Sequence, residues 1–373
     1  MKYTVREVSG RKELRQFCRF ANKLYKGCPH YVPSLDYDQL HTLAHSPALE
    51  SCRQKLLLAF DEGGKVVGRC CAIINDKYNE LYSTRRMRFG WMDYIDDIEV
   101  ARSLFEAAEA WGRAEGMTEI HGPMGYNTMY KQGMVVEGFE SLPQFNNLYN
   151  HAYYPQFLER LGFEKEADWL QYVIPVDQPA PERLERLAGI IAGRYQLIVA
   201  DLEEIKKEKD IIPKFFARYN EAFGTVRNFI PFSESEMAEE GANYIKLLDN
   251  RYSCIITDSD GEIAAFAICV PSISKALQKA GGSLFPLGWY HILRARRKPE
   301  LLDMMLIGAS PKWASKGISA LLHMSLMRSC KASGVKLAIS NPQFEDNNAL
   351  KIWDSYDAKT LYIRRRCYIK KID

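Results

Sequence analysis

"SPKWASKGISALLHMSL", Ser310–Leu326, is a short basic turn with one glycine, Gly317, that runs out into an amphipathic helix. The strand-like run "DMMLIGA" leads into it. A βα junction of this kind either presents backbone N–H groups and the positive end of a helix to phosphates, or is only a connection. Its surroundings narrow the choice. Ile318, Leu321, Leu322 and Leu326 share one helical stripe, and the pattern stops at Gly334, which opens the strand "VKLAIS". Upstream, "RYSCIITDSDGEIAAFAICV" reads as two β-rich runs around an acidic turn, hence a hairpin.

The first half of the chain repeats this order. "KLLLAFDEGGKVVGRCCAII" is a hairpin and "MRFGWMDYI" a strand. In "EVARSLFEAAEAWGRAEG" a helical stripe of Val100, Leu104, Phe105, Ala108 and Trp111 ends at Gly116. The strands "MTEIHGPM" and "WLQYVIPV" frame a late helix, "PQFLERLGF"; their counterparts are "VKLAIS", "TLYIRRRCYIKKI" and "NNALKIWDSY". The matched order implies a duplicated α+β unit. Three prolines in "PVDQPAPERLERL" mark the join, dividing the chain into residues 1–176 and 177–373.

Composition excludes several classes. At 373 residues the chain has two-domain length, and a net charge of +3 is too small to argue for a nucleic-acid surface. Nine cysteines without a CxxC, and seven histidines without an HExxH, give no metal-site spacing, so no metal is expected. The scattered thiols, the charged opening "MKYTVREVSGRKELRQF" and the lack of an apolar run of membrane length lead us to expect a cytoplasmic protein.

The order hairpin, strand, helix ending in glycine, strand, helix, strand resembles the GNAT acyltransferase superfamily, whose mixed sheet splays at its middle. The resemblance implies two tandem GNAT-like domains of the α+β class, each a mixed, mostly antiparallel, splayed sheet flanked by helices. It also implies that a turn of the type [Q/R]-x-x-G-x-[G/A] takes the pyrophosphate of an acyl-CoA co-substrate. Here that turn reads Ala314-Ser315-Lys316-Gly317-Ile318-Ser319. Gly317 fits, Ala314 replaces the usual Gln or Arg, and Ser319 replaces the last glycine. Lys312 and Lys316 supply positive charge, so the expected cofactor-binding set is Lys312, Ser315, Lys316, Gly317, Ile318 and Ser319. The first half has "DDIEVARS" at this place, where Asp96, Asp97 and Glu99 would repel a diphosphate. Its copy is expected to have lost CoA.

A narrower resemblance, carried by "YVPSLDYD", "FGWMDYIDDIEVARS", "HGPMGYNT", "NFIPFSESEM" and "GGSLFPLGW", is to tandem-GNAT proteins that include the bacterial ceramide synthases. It implies transfer of an acyl group from an acyl-CoA or acyl carrier protein thioester to an amine, a long-chain sphingoid-type base first among acceptors. A Fem-type transferase dependent on aminoacyl-tRNA and a non-catalytic binding protein are the alternatives. Two stretches depart from the relatives where substrate is expected to face: "GYNTMYKQG", with Tyr130 and Lys131, and "LPQFNNLYNHAYY".

Amide formation needs a deprotonated amine and a protonated leaving thiolate. The resemblance implies a tyrosine after the late helix as acid; Trp353 stands nearest that position and Tyr356, three residues on, is the candidate. His121, Asn127 and His151 are the other catalytic candidates, with a buried structural histidine, a self-satisfied turn residue and a loop residue as the plain alternatives. In "GGSLFPLGWYHILRARRKPE", Phe285, Leu287, Trp289, Tyr290, Ile292 and Leu293 precede Arg294, Arg296 and Arg297. That pattern suits peripheral contact of residues 285–297 with the inner membrane face, the lip of an acyl tunnel, or a buried helix with a solvated basic end. The closing strand is expected to show a solvated basic face of Arg364 and Arg366.

Overall fold

The structure, a computed structural model, describes residues 3–177, 182–347, 350 and 360–372. The chain opens with strand β1 (Thr4–Glu7) and helices α1 (Gly10–Leu24) and α2 (Asp36–His45). Strands β2 (Cys52–Phe60) and β3 (Val66–Asn75) form the expected hairpin, and α3 (Asp76–Tyr82) starts where the Asn75 side chain accepts the Tyr78 N–H. In β4 (Arg86–Tyr94) two residues oppose one on β3, between the pairs Arg69↔Asp93 and Cys71↔Gly90, with Trp91 at φ 42°. Helix α4 (Ile98–Ala114) is capped by Asp97 and stops at Gly116, φ 78°. Then come β5 (Glu119–Gly122), β6 (Met134–Glu137), α5 (Tyr153–Arg160) and β7 (Glu164–Pro175).

The second half has α6 (Glu182–Tyr195), β8 (Ile198–Val199), α7 (Leu202–Ile205) and α8 (Ile211–Phe223). Helix α9 (Glu234–Leu247) begins on a reciprocal cap between Ser233 and Glu236. The hairpin of β9 (Cys254–Thr257) and β10 (Ile263–Pro271) leads to α10 (Ser274–Ala280), α11 (Gly288–Arg297) and β11 (Leu301–Ala309). After α12 (Pro311–Ala314) and α13 (Ile318–Ala332) come β12 (Leu337–Ile339), β13 (Gln343–Phe344) and β14 (Thr360–Lys371). The expected late helix "NNALKIWDSY" lies almost wholly outside the described residues.

These elements pack as two compact units, and each is discontinuous. One comprises the chain up to Leu170, the segment Ile273–Leu293 and the stretch from Ile363; the other comprises Gln171–Ser272 and Arg294–Tyr362. The division at 176/177 describes the repeat; packing takes another course. In the first unit the sheet order is β1-β2-β3-β4-β5-β14, antiparallel except for the pair of β4 with β5. In the second it is β7-β12-β11-β10-β9-β8, antiparallel except for β11 with β12. Each unit thus has one parallel pair joined by one long helix, and each pair holds register for only three residues: Arg86–Arg88 against Glu119–His121, and Leu301–Asp303 against Leu337–Ile339. Beyond those residues the paired register ends, which is the splayed sheet of the α+β expectation. Each unit has its own apolar core, with Phe89, Leu104, Phe105 and Leu158 in the first and Ile256, Ala265, Leu322 and Ala338 in the second.

Two segments of the second half join the first unit for identifiable reasons. Helix α10 is tied down by Ser274 Oγ donating to the Pro143 carbonyl (2.8 Å) and Gln278 Nε2 to those of Pro29 and Tyr31 (2.8 and 3.0 Å). Strand β14 covers the edge of β5, pairing Tyr368 with Gly122 and Lys371 with Glu119. Two expectations are corrected here. The basic face of β14 is not simply solvated, because Arg364 and Arg366 both bind the buried carboxylate of Asp168, at 3.3 and 2.8 Å. Between them Arg365 is fully buried. Nor is α11 a buried helix: Gly288 is its one buried residue.

Candidate functional site

The turn at Gly317 is a tightened helical turn. Ser310 O accepts the N–H groups of Trp313 and Ala314 (2.9 and 2.8 Å), Trp313 O that of Lys316 (3.0 Å), and Ala314 O that of Gly317 (3.2 Å). Gly317 caps α13 at φ 80°, a left-handed conformation, and a Cβ there would sit 3.2 Å from Ile191 Cδ1 on α6. The groups left for an anion are the first N–H groups of α13, those of Ile318 and Ser319, at the positive end of a 15-residue helix. Lys316 Nζ lies 4.4 Å from the Trp313 ring and 4.8 Å from that of Tyr195. Lys312 Nζ is 4.8 Å from the Trp313 ring and 3.8 Å from Asp258. Ser315 Oγ bonds back to Pro311 and Lys312 carbonyls. The turn therefore brings the six expected residues together as a basic, aromatic-backed helix start with few donors to spare.

The first unit holds a cavity of about 360 Å³. Its walls come from α1 (Ala21), the segment Tyr31–Leu35, α2 (Asp38, Gln39, Thr42) and β3 (Arg69). The bulged strand β4 adds Gly90, Trp91 and Asp93, and α10 and α11 close one side with Leu277 and Ile292. Two further walls are loops: Gly125 with Met129–Lys131, and Phe145–Tyr149. These are parts of the two stretches that depart from the relatives.

The loops are held from behind. Arg88, buried in β4, donates Nη1 to the carbonyls of Gly125 and Tyr126 (3.1 and 2.8 Å), and Asn75 Nδ2 also reaches Tyr126 O (3.0 Å). Asn150 acts as a strand partner to Val135, accepting its N–H at 2.7 Å and donating to its carbonyl at 3.1 Å. Arg365 Nη1 donates to the Leu148 carbonyl at 2.6 Å.

A polar cluster lies in the otherwise apolar cavity wall. Arg69 and Asp93, both buried, are bound through Nε and Nη2 to Oδ2, each at 2.7 Å. The remaining Nη1 of Arg69 meets the Phe17 and Cys18 carbonyls and Gln39 Oε1, so one guanidinium ties α1 and α2 to the sheet. Lys131 Nζ lies 3.1 Å from Ser34 Oγ. Burial, reinforced by Arg365 and Arg69 and opposed by Asp93, pulls the Lys131 amine down to about 8.

The catalytic candidates fall elsewhere. His121 is fully buried on β5, its Nδ1 3.1 Å from Glu166 Oε2, and burial holds its pKa below the usual imidazole range. Asn127 is buried and accepts the Met129 N–H at 2.9 Å, the arrangement of a turn residue. His151, half-buried, stacks on Tyr153 at 5.4 Å and lies 4.9 Å from Tyr25; burial lowers its pKa. Tyr356 and Trp353 lie outside the described residues. None of His121, Asn127 and His151 lines the cavity. The cavity's charged residues Arg69 and Asp93 escaped sequence reading because the strand register Arg69↔Asp93 alone brings them together. Among the described residues no group of His, Cys, Asp and Glu could hold a metal ion.

Two sheets of this type, each with a splayed parallel pair bridged by a long helix, define a tandem GNAT fold, an acyltransferase architecture. A tandem GNAT protein from the clavulanic acid biosynthesis pathway matches all of this chain and 99% of its own, with a TM-score of 0.58 at 13% identity. In sequence the chain is 29% identical to protein YghO of Escherichia coli (strain K12), over 78% of this chain and 73% of that protein. It is 25% identical to the bacterial ceramide synthase of Caulobacter vibrioides (strain NA1000 / CB15N), over 87% of this chain and 85% of that one. No protein-family model matches the chain.

Proposed function

We propose that the protein is an N-acyltransferase that moves an acyl group from a CoA or acyl carrier protein thioester to an amine, with long-chain bases first among acceptors. The observation that carries this reading is the left-handed Gly317 at the start of α13, at the end of the splayed strand β11, flanked by Lys312 and Lys316. A relative 25% identical bears the name bacterial ceramide synthase, which favours a lipid acceptor. The four turn N–H groups already bonded within the turn favour the alternative, a protein that holds an amphiphile without turnover.

The test is thermal stabilisation by CoA, acetyl-CoA and palmitoyl-CoA, with release of free CoA thiol on adding sphingosine-type amines. A phosphate ligand at 100 times its Kd stabilises by about 2.7 kcal/mol. Gly317→Glu places a carboxylate and a side chain at φ 80° beside Ile191, and should abolish that stabilisation. Stabilisation that survives Gly317→Glu would remove the turn from the site. Stabilisation without thiol release would favour the binding protein.

The reading includes peripheral membrane contact through residues 285–297. Phe285 is 78% exposed, Leu287 59%, and Trp289 and Tyr290 46% each, and the last turn of the same helix carries Arg294, Arg296 and Arg297. No helix among the described residues is long and apolar enough to cross a membrane, so contact would be interfacial. Flotation with phosphatidylglycerol vesicles should recover the protein and with phosphatidylcholine vesicles far less. Phe285→Ser with Trp289→Ser should lower partitioning by roughly tenfold or more. Equal recovery with and without the two replacements would discard the contact.

A further inference from the structure

We propose that the cavity of the first unit is a binding site for a single-chain amphiphile with a carboxylate head, and that Lys131 is the ligand of that head. Nothing in this depends on whether the second unit binds CoA. The cavity, at about 360 Å³, falls in the range of small-molecule sites and has mostly apolar walls with a few convergent polar groups. Tyr31, Leu35, Trp91, Phe145, Leu277 and Ile292 suit a hydrocarbon chain.

The head is assigned by charge. Four charged residues line the cavity: Asp38 on α2, Arg69 on β3, Asp93 on β4 and Lys131 on its loop. Arg69 and Asp93 neutralise one another in a buried pair. Behind the wall, Arg365 on β14 holds the carbonyl of the lining residue Leu148. Tyr31, Tyr130 and Tyr149 are the remaining titratable neighbours. Lys131 therefore meets two arginines, one of them unneutralised within the cavity wall, and one already paired carboxylate. An ammonium so placed attracts a monoanion. Among the described residues its one hydrogen bond is to Ser34, which leaves two of its three donors for a ligand. A dianionic phosphate is disfavoured by Asp38 and Asp93, and an amine head by Lys131 and Arg365.

Titration calorimetry of the full chain with decanoate, decanol and decylamine, each below its micelle concentration, tests this. Decanoate should bind roughly tenfold or more tightly than decanol at neutral pH. Lys131→Met should reduce decanoate affinity to that of decanol, and Lys131→Arg should keep the preference. The preference should also fade as pH is raised from neutral to about 10, because Lys131 loses its proton there. Decanoate and decanol binding alike in the native chain, a preference for decylamine, or no binding of any of the three would each overturn the proposal. So would a preference unchanged in Lys131→Met.

Discussion

Asp93→Ala is expected to destabilise the first unit by about 3–5 kcal/mol, because it leaves a guanidinium buried with no counter-charge. Arg69 and Asp93 are 4% and 8% exposed, so water cannot take over the missing partner without opening the sheet. The loss would reach beyond the pair. Arg69 also anchors the Phe17 and Cys18 carbonyls of α1 and Gln39 of α2, and both helices line the cavity. The natural readout is amide hydrogen exchange in β3 and β4, which should speed up by roughly a hundredfold or more. Arg69→Met combined with Asp93→Leu should restore at least half of the loss, since paired removal leaves no orphaned charge. Unchanged exchange in Asp93→Ala would mean that the pair does not hold the helices in place.

Much of the frame around that pair was legible. Hairpins, strands and the glycine-terminated helices announce themselves by periods of two and 3.6 and by residues with left-handed φ, and these are local signals. The two loops that line the cavity also stood out, since "GYNTMYKQG" and "LPQFNNLYNHAYY" depart from the relatives' pattern. What could not be read is set by distance along the chain. Arg69 sits in "GRCCA" with no mark that it faces a carboxylate 24 residues on. Arg365 stands in a run of three arginines, and strand alternation assigns it a face without saying that this face is buried against Leu148 O. The return of residues 273–293 to the first unit rests on side chains bonding to carbonyls of Pro29, Tyr31 and Pro143, which no local pattern encodes. The cost of burying a charge is likewise decided by tertiary neighbours. His121 had the right residue type after the right strand, yet it faces Glu166 inside the sheet.

Lys131→Met should make the protein more stable, an unusual direction for replacing a residue that lines a cavity. The amine is pulled from 10.5 to about 8 on folding. The unfolded chain therefore binds more protons than the folded one between those values, and stability rises with pH across that window. Below about 8 the penalty is present in full, on the order of 3 kcal/mol for a shift of this size. Above 10.5 it vanishes. Methionine fills a similar volume without a charge, so the variant should gain several degrees in melting temperature at neutral pH, and the gain should shrink to near zero by about pH 11. A ligand carboxylate would act in the opposite sense, drawing the Lys131 pKa back up and stabilising the native chain more than the variant. Decanoate should thus narrow the gap between the two proteins at neutral pH while decanol leaves it unchanged. A Lys131→Met protein that is no more stable than the native one would mean that the lysine is compensated within the fold. The excess of positive charge assigned to the cavity would then be absent. A gain that decanoate narrows and decanol does not is what a binding residue held at a loss in stability would give.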